Sequence, residues 1–155
     1  NNPSILSGDF NGNDDISNPV TMKENAYHVV ISAGEMGSAL IDGFTITGGY
    51  ADYNKFVIVN GIEMYSAGGA GLYVKSSSPI INNLIITKNA STYRGGGMLL
   101  VQSDSEIPNL AIKENNAPNG GGIYIHQSEA KMVNIAVTNN SAISGGGMVS
   151  RESPF

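Results

Sequence analysis

The chain repeats the sequence Gly95-Gly96-Gly97-Met98-Leu99-Leu100 with small changes. The glycine triplet returns at 120–122 and at 145–147, each time before a short apolar run, and a looser copy stands at 69–71. The last glycines of the four copies are separated by 26, 25 and 25 residues. A constant period of this size is typical of stacked structural repeats.

A second repeated segment, rich in branched apolar residues, begins at Ile41, Ile81, Ile107 and Met132, in steps of 40, 26 and 25 residues. In both segments apolar residues alternate with period two over short runs, which predicts β-strands and not helices. Equivalent side chains would stack at the spacing of neighbouring strands, about 4.8 Å, and line one interior. The predicted interior positions are Leu72, Val74, Leu84, Ile86, Met98, Leu100, Leu110, Ile112, Ile123, Ile125, Ile135, Val137 and Met148.

The corners between strands are predicted at the glycines and at two columns of asparagine. Asparagine tolerates positive φ, and its side-chain amide can both donate and accept hydrogen bonds. We therefore expect asparagine side chains to bond from repeat to repeat. The two expected ladders are Asn83, Asn109 and Asn134, and Asn89, Asn115 and Asn140.

These motifs resemble those of a known group of proteins. The glycine triplet with Ile or Met, followed by Ser76-Ser77-Ser78-Pro79-Ile80-Ile81-Asn82-Asn83 and a closing Asn89, is similar to the repeats of bacterial right-handed parallel β-helix proteins. It resembles pectin-lyase-like surface proteins and the repeats of chlamydial polymorphic outer-membrane proteins. The resemblance implies an all-β fold, a right-handed parallel β-helix or solenoid, here with about 25 residues per coil. It implies no single activity, because these proteins include lyases, adhesins and other surface proteins.

A single domain is expected over residues 1–155. Within it we expect an irregular N-terminal segment at 1–26. The long first step of the second column predicts an excursion at 50–66, made of a third-face strand and a long inserted loop. Ser153-Pro154-Phe155 matches Ser78-Pro79-Ile80, so we expect the sequence to be the front, or a piece, of a longer solenoid.

Composition limits the classes of partner. The formal net charge of −5 argues against nucleic acid, whose phosphates require a basic surface. The chain has no cysteine, which excludes thiol chemistry and thiolate zinc sites, and no apolar run reaches the ~18 residues of a membrane helix. A secretion signal, if the protein has one, would lie outside this segment.

The N-terminal segment contains a candidate calcium loop. Asp9, Asn11, Asn13 and Asp15 alternate as the first ligands of a Ca²⁺ loop do, although Gly12 is misplaced for an EF-hand and no closing Glu follows. The alternative interpretation is a solvated turn of Asx residues and glycine. Ca²⁺ is accordingly the one cofactor that the sequence predicts.

A second candidate site is the column Tyr73, Leu99 and Tyr124, which points away from the predicted interior and continues to Val149. Exposed, it would form a ligand face that stacks on sugar rings or on a partner protein. The alternative is that these residues are ordinary outward strand positions or are covered by the 50–66 excursion.

No catalytic constellation emerges from the sequence, because the acidic residues of the repeats share no column. The leading hypothesis is a non-catalytic, extracellular or cell-surface scaffold that binds a polysaccharide or a surface protein. One alternative is a fragment of a polysaccharide lyase or glycoside hydrolase whose catalytic coils lie elsewhere. Another is a structural module that self-associates end to end into fibres.

Overall fold

A computed structural model of the chain describes residues 3–15, 18–35, 37 and 39–152. This part of the chain is all-β, apart from one turn of 3₁₀-helix at Pro19–Met22. The strands are β1 (Ser4–Ser7), β2 (Val30–Ala33), β3 (Leu40–Asp42), β4 (Phe44–Thr47), β5 (Tyr50–Ala51), β6 (Phe56–Val59), β7 (Ile62–Tyr65), β8 (Leu72–Lys75), β9 (Ile80–Asn82), β10 (Leu84–Thr87), β11 (Ala90–Ser91), β12 (Met98–Val101), β13 (Glu106–Lys113), β14 (Ile123–His126), β15 (Lys131–Thr138) and β16 (Met148–Arg151).

Three of the four sheets are parallel. The largest has the order β1-β4-β10-β13-β9-β3, with β15 also paired to the long strand β13. A five-stranded sheet has the order β16-β14-β12-β8-β2, and β11 and β5 form a short third sheet. The remaining sheet is an antiparallel pair, β6 and β7. Parallel strands cannot be joined by tight turns, so the chain crosses other sheets before it returns to each one.

The register confirms both repeated columns. Leu72 pairs with Met98, Met98 with Ile123, and Ile123 with Met148. In the larger sheet the same holds for Leu84, Leu110 and Ile135. Each strand therefore lies beside the strand that occupies the same place one sequence period away.

The main core consists of the stacked interior positions. Its thirteen buried members come from both parallel sheets, and most of them have no exposed surface. The predicted interior is confirmed over these strands, and the burial weakens at β15 and β16, where Ile135 and Val137 are half-buried and Met148 is 40% exposed. Those strands have no neighbour on their outer side among the described residues.

One of the two predicted asparagine ladders is confirmed. Asn89 Nδ2 donates to Asn115 Oδ1 at 3.0 Å, and Asn115 Nδ2 donates to Asn140 Oδ1 at the same distance. The other ladder is only partly present. Asn134 bonds to Asn109, but Asn109 donates to Asn82 instead of Asn83.

The prediction of an irregular segment at 1–26 is wrong at its start. Ser4–Ser7 form strand β1, which extends the largest sheet by pairing with β4. Polar turns and the 3₁₀-helix follow, as far as they are described. The expected half-drawn coil at Ser153–Phe155 lies outside the described residues.

The excursion at 50–66 contains a strand at its apolar run, β6, but this strand pairs antiparallel with β7 and not on a third parallel face, where the two-residue strand β5 pairs with β11. The long loop predicted beside it is wrong, because its central part forms the hairpin of β6 and β7. The apolar run from Phe56 to Val59 supplies one strand of that hairpin.

The glycine triplets are required by close backbone packing between repeats. A Cβ on Gly96 would collide with the carbonyl oxygen of Asn116 and would stand 2.7 Å from that of Gly121. We expect Gly96→Ala to lower the free energy of unfolding by about 3 kcal/mol or more, because backbone oxygens of the next repeat cannot yield. Urea unfolding of the native chain and of Gly96→Ala measures this difference in the free energy of unfolding.

Gly43→Ala is the matched control for this prediction. Gly43 has φ +79° and open space around it, so alanine there should cost only the left-handed strain, about 1–2 kcal/mol. Because Gly96 itself does not have a positive φ, a cost at Gly96 no larger than that at Gly43 would contradict the requirement for close backbone approach.

The ladder gives a second prediction. Asn115→Ala should lower the free energy of unfolding by about 3 kcal/mol, since it leaves buried groups of Asn89 and Ile86 without partners. The exposed neighbour Asn116 provides the control, and Asn116→Ala should stay within about 0.5 kcal/mol. Chemical denaturation of both variants tests this, and a neutral Asn115→Ala would contradict a stabilising ladder.

Candidate functional site

The candidate site is built on the β6–β7 hairpin. Its turn is Asn60-Gly61, with φ of 48° and 75°, and this pair of positive φ values suits the twist of a two-residue hairpin turn. Asn-Gly between two apolar runs is a strong hairpin signal in a sequence, and it is the signal that the prediction of a loop overlooked.

The inner face of the hairpin covers a sheet. Val57 and Met64 form one cross-strand pair and Val59 and Ile62 another, and all four pack over the five-stranded sheet. The side chains beneath them belong to a separate apolar cluster around Tyr73, Leu99 and Tyr124.

The predicted ligand face is therefore wrong as an exposed surface. Tyr73, Leu99 and Tyr124 are 3%, 5% and 1% exposed. Burial raises the pKa of the Tyr73 hydroxyl, against smaller opposing effects of the Tyr65 backbone and Arg94. Of the sequence alternatives, cover by the 50–66 excursion is the one that the structure bears out.

Two hydrogen bonds join the hairpin to strands β2 and β8. Asn60 Nδ2 donates to the carbonyl oxygen of Ala33 at 3.1 Å, and Lys75 Nζ donates to that of Glu63 at 2.6 Å. The hairpin is thus attached to β2 and β8 as well as packed on them.

Five aromatic rings on and near the hairpin form two contacting groups, which we call the aromatic strip. Tyr27 and Tyr53 stack with ring centroids 5.2 Å apart. Phe56 contacts Tyr65 at 5.2 Å, and Tyr65 contacts Tyr93 edge to face at 5.5 Å. Four of the five rings are between 38% and 62% exposed, and Tyr65 is half-buried.

Polar and cationic groups join and flank these rings. The hydroxyl of Tyr65 donates to Asn54 Oδ1 at 2.5 Å, which links the two groups of rings. Lys55 Nζ lies 5.4 Å from the Tyr53 centroid, and the Arg94 guanidinium lies 4.4 Å from that of Tyr93. Among the described residues neither cation forms an ion pair with a carboxylate.

Arg94 also connects the exposed strip with the covered column. Its guanidinium carbon lies 4.8 Å from the Tyr124 centroid, so one cation contacts an exposed ring and a buried ring. Cation–π contacts of this kind are favourable, more so where water is excluded. The buried column of Tyr73, Leu99 and Tyr124 is therefore connected to the aromatic strip through Arg94.

The N-terminal acidic residues are arranged differently from the prediction. Asn11 Oδ1 accepts the amide of Asn13 at 3.2 Å, and Asp9 Oδ1 accepts that of Gly12 at 2.7 Å, so these side chains organise turns. The amide of Asp15 donates to Thr21 Oγ1.

A different set of carboxylates lies close together. The ligand atoms of Asp9, Asp14 and Glu24 are within 4.8 Å of one another. Asp9 is thus the one residue of the predicted calcium set that belongs to this group. Burial raises the pKa of Asp14, the hydrogen bond from Asn25 opposes this, and the charges of Asp9 and Glu24 raise it further.

A groove with a volume of about 900 Å³ lies elsewhere, along the asparagine ladder. Among its described lining residues the charged ones are Lys88 and Glu114, and the aromatic one is Tyr50. This lining brings together no paired carboxylates for glycoside hydrolysis. In the part of the chain that the structure describes, no helix is long and apolar enough to cross a membrane.

Comparison with known proteins adds no relative: no family model, no curated protein and no solved structure matches the chain significantly.

The covering role of the hairpin is testable at Met64, which has no exposed surface. Met64→Ala should cost about 2–5 kcal/mol of unfolding free energy, because it opens a cavity over the buried column. Ile58, 74% exposed on the same hairpin, is the control, and Ile58→Ala should cost at most about 0.5 kcal/mol. Thermal and urea unfolding measure both, and similar small effects would mean that the hairpin does not pack on the sheet.

Proposed function

We propose that the chain is a right-handed parallel β-helix that binds glycans, without catalysis, through the aromatic strip. The β-helix is supported by three parallel sheets, in two of which the strands from β8 and β10 onward recur about 25 residues apart. The function is supported by one observation above all. Five aromatic rings, out of the eleven in the chain, form two groups of contacting rings, and a hydrogen bond from Tyr65 to Asn54 connects the segments that carry them.

The chemistry of the strip suits a sugar. A pyranose ring has apolar C–H faces and hydroxyl groups at its rim, so it packs on a flat aromatic face while its rim forms hydrogen bonds. Tyr53, Phe56 and Tyr93 are 38%, 62% and 39% exposed, so part of each ring is open to solvent and to a sugar. Tyrosine hydroxyls, the Asn54 amide and the cations beside the rings offer partners for the rim.

The absence of catalysis belongs to the same proposal. The five residues of the strip include no carboxylate, whereas glycoside hydrolysis uses a pair of them flanking the bond that breaks. An extracellular or cell-surface location is also proposed, because structural polysaccharides and surface glycans are found there.

A panel of neutral and acidic polysaccharides tests the proposal, with affinity electrophoresis for binding and calorimetry for the strongest ligand. We expect saturable binding by the chain and no turnover, measured as reducing ends and as ultraviolet absorbance from unsaturated ends. Light scattering in parallel shows whether the binding species is a monomer.

Variants locate the binding surface. Tyr93→Ala and Phe56→Ala should each weaken binding about fivefold, equivalent to about 1 kcal/mol of lost ring contact. Val133→Ala removes a residue that is 65% exposed on another sheet, and it should bind as the native chain does. Turnover of any polysaccharide, or binding that survives both aromatic substitutions, would overturn the proposal.

A further inference from the structure

A separate feature of the N-terminal segment points to a cation. Asp9, Asp14 and Glu24 bring one carboxylate oxygen each to within 4.8 Å of the others. Oxygens on opposite sides of one Ca²⁺ ion are about 4.6–5.2 Å apart, since each lies 2.3–2.6 Å from it. The three oxygens are therefore close enough to contact a single ion.

An independent observation comes from Asn25, which is only 5% exposed and lies against the cluster. Its Nδ2 is 2.9 Å and 3.1 Å from the two carboxylate oxygens of Asp14, yet its Oδ1 is buried without a hydrogen-bond partner. Glu24 Oε1 is buried in the same unpartnered state. Unpaired buried oxygens are costly, and a cation bound at the cluster would satisfy the carboxylate of Glu24.

The cluster also lacks a neutralising side chain. No ion pair links any of its carboxylates to a lysine or arginine among the described residues. Lys88 lines the pocket of about 430 Å³ next to Asp9 and Asp14 without reaching ion-pair distance. The amides of Gly12 and Asp14 donate to Asp9, but a carboxylate oxygen keeps a second lone pair for a metal.

We propose that Asp9, Asp14 and Glu24 bind one divalent cation of the Ca²⁺ type, which links the two halves of the N-terminal segment to each other. The segment is already attached at its two ends. Gly8 donates to Thr47 at 2.9 Å, Ala26 donates to Gly8, and Asn25 Nδ2 donates to Gly48 at 2.7 Å. The ion closes the chain between these points, so its role is structural.

The ligand set differs from the one that alternation in the sequence predicts. It needs Glu24, which follows the 3₁₀-helix, and it does not need Asn13. This difference permits a direct choice between the two sets by mutation.

The test uses the 1–155 chain, freed of metal with EDTA, and Ca²⁺ alone as the probe. Calorimetry should show one site. At Ca²⁺ concentrations about tenfold above the Kd, the melting temperature should rise by about 3–6 °C, because the ion binds the folded state only.

Glu24→Gln and Asp14→Asn should abolish both the heat and the shift. In EDTA the two variants should melt at or above the native temperature, because the substitution relieves repulsion between carboxylates. Asn13→Ala and Glu129→Gln, an exposed carboxylate elsewhere, should keep the full calcium response.

A native chain that shows neither heat nor a shift would overturn the proposal. A shift that persists in Glu24→Gln, or disappears in Asn13→Ala, would also overturn it. Should Glu24→Gln fail to fold, Asp14→Asn and the native titration still decide the matter.

Discussion

The fold depends on hydrogen bonds that pass from one repeat to the same place in the next. Asn115 shows this most clearly, because its amide group bonds to Asn89, to Asn140, and to carbonyl oxygens of Ile86 and Lys113. These partners lie on three repeats. A side chain with these bonds fixes both the conformation of the corner and the register between neighbouring repeats. With the register fixed, equivalent apolar side chains on either side of the corner stack on one another.

The hairpin covers an apolar surface that the repeats would otherwise expose to water. Strands β8, β12 and β14 are buried on both faces, and their outer column would leave two tyrosines and a leucine in water. The 50–66 insertion covers that column with four apolar side chains and turns other rings outward. The apolar cover and two rings of the aromatic strip, Phe56 and Tyr65, thus lie on opposite faces of one hairpin, since alternate residues of a strand point to opposite sides.

Most of the fold can be predicted from the repeat period of the sequence. Steps of 25 and 26 residues are enough to pair Leu84 with Leu110 and Met98 with Ile123, because identical units stack in register. Local chemistry was harder to assign: adjacent amides at Asn82 and Asn83 are alike in sequence, and only the corner geometry selects which one Asn109 contacts. The hairpin was detectable from Asn60-Gly61. The approach of Glu24 to Asp9 was not, because it depends on how an irregular turn folds back.

The nearest-neighbour pairing of the strands has a mechanical consequence. In the five-stranded sheet each strand bonds only to the strand before and after it in the order β2, β8, β12, β14 and β16. Tension applied along the stack would separate one pair of repeats at a time, since each described strand of this sheet pairs only with its neighbours. Each event between β8 and β16 would release about 25 residues, or roughly 85 Å of extended chain. The protein would thus lengthen in steps under load, while the repeats that remain keep their structure.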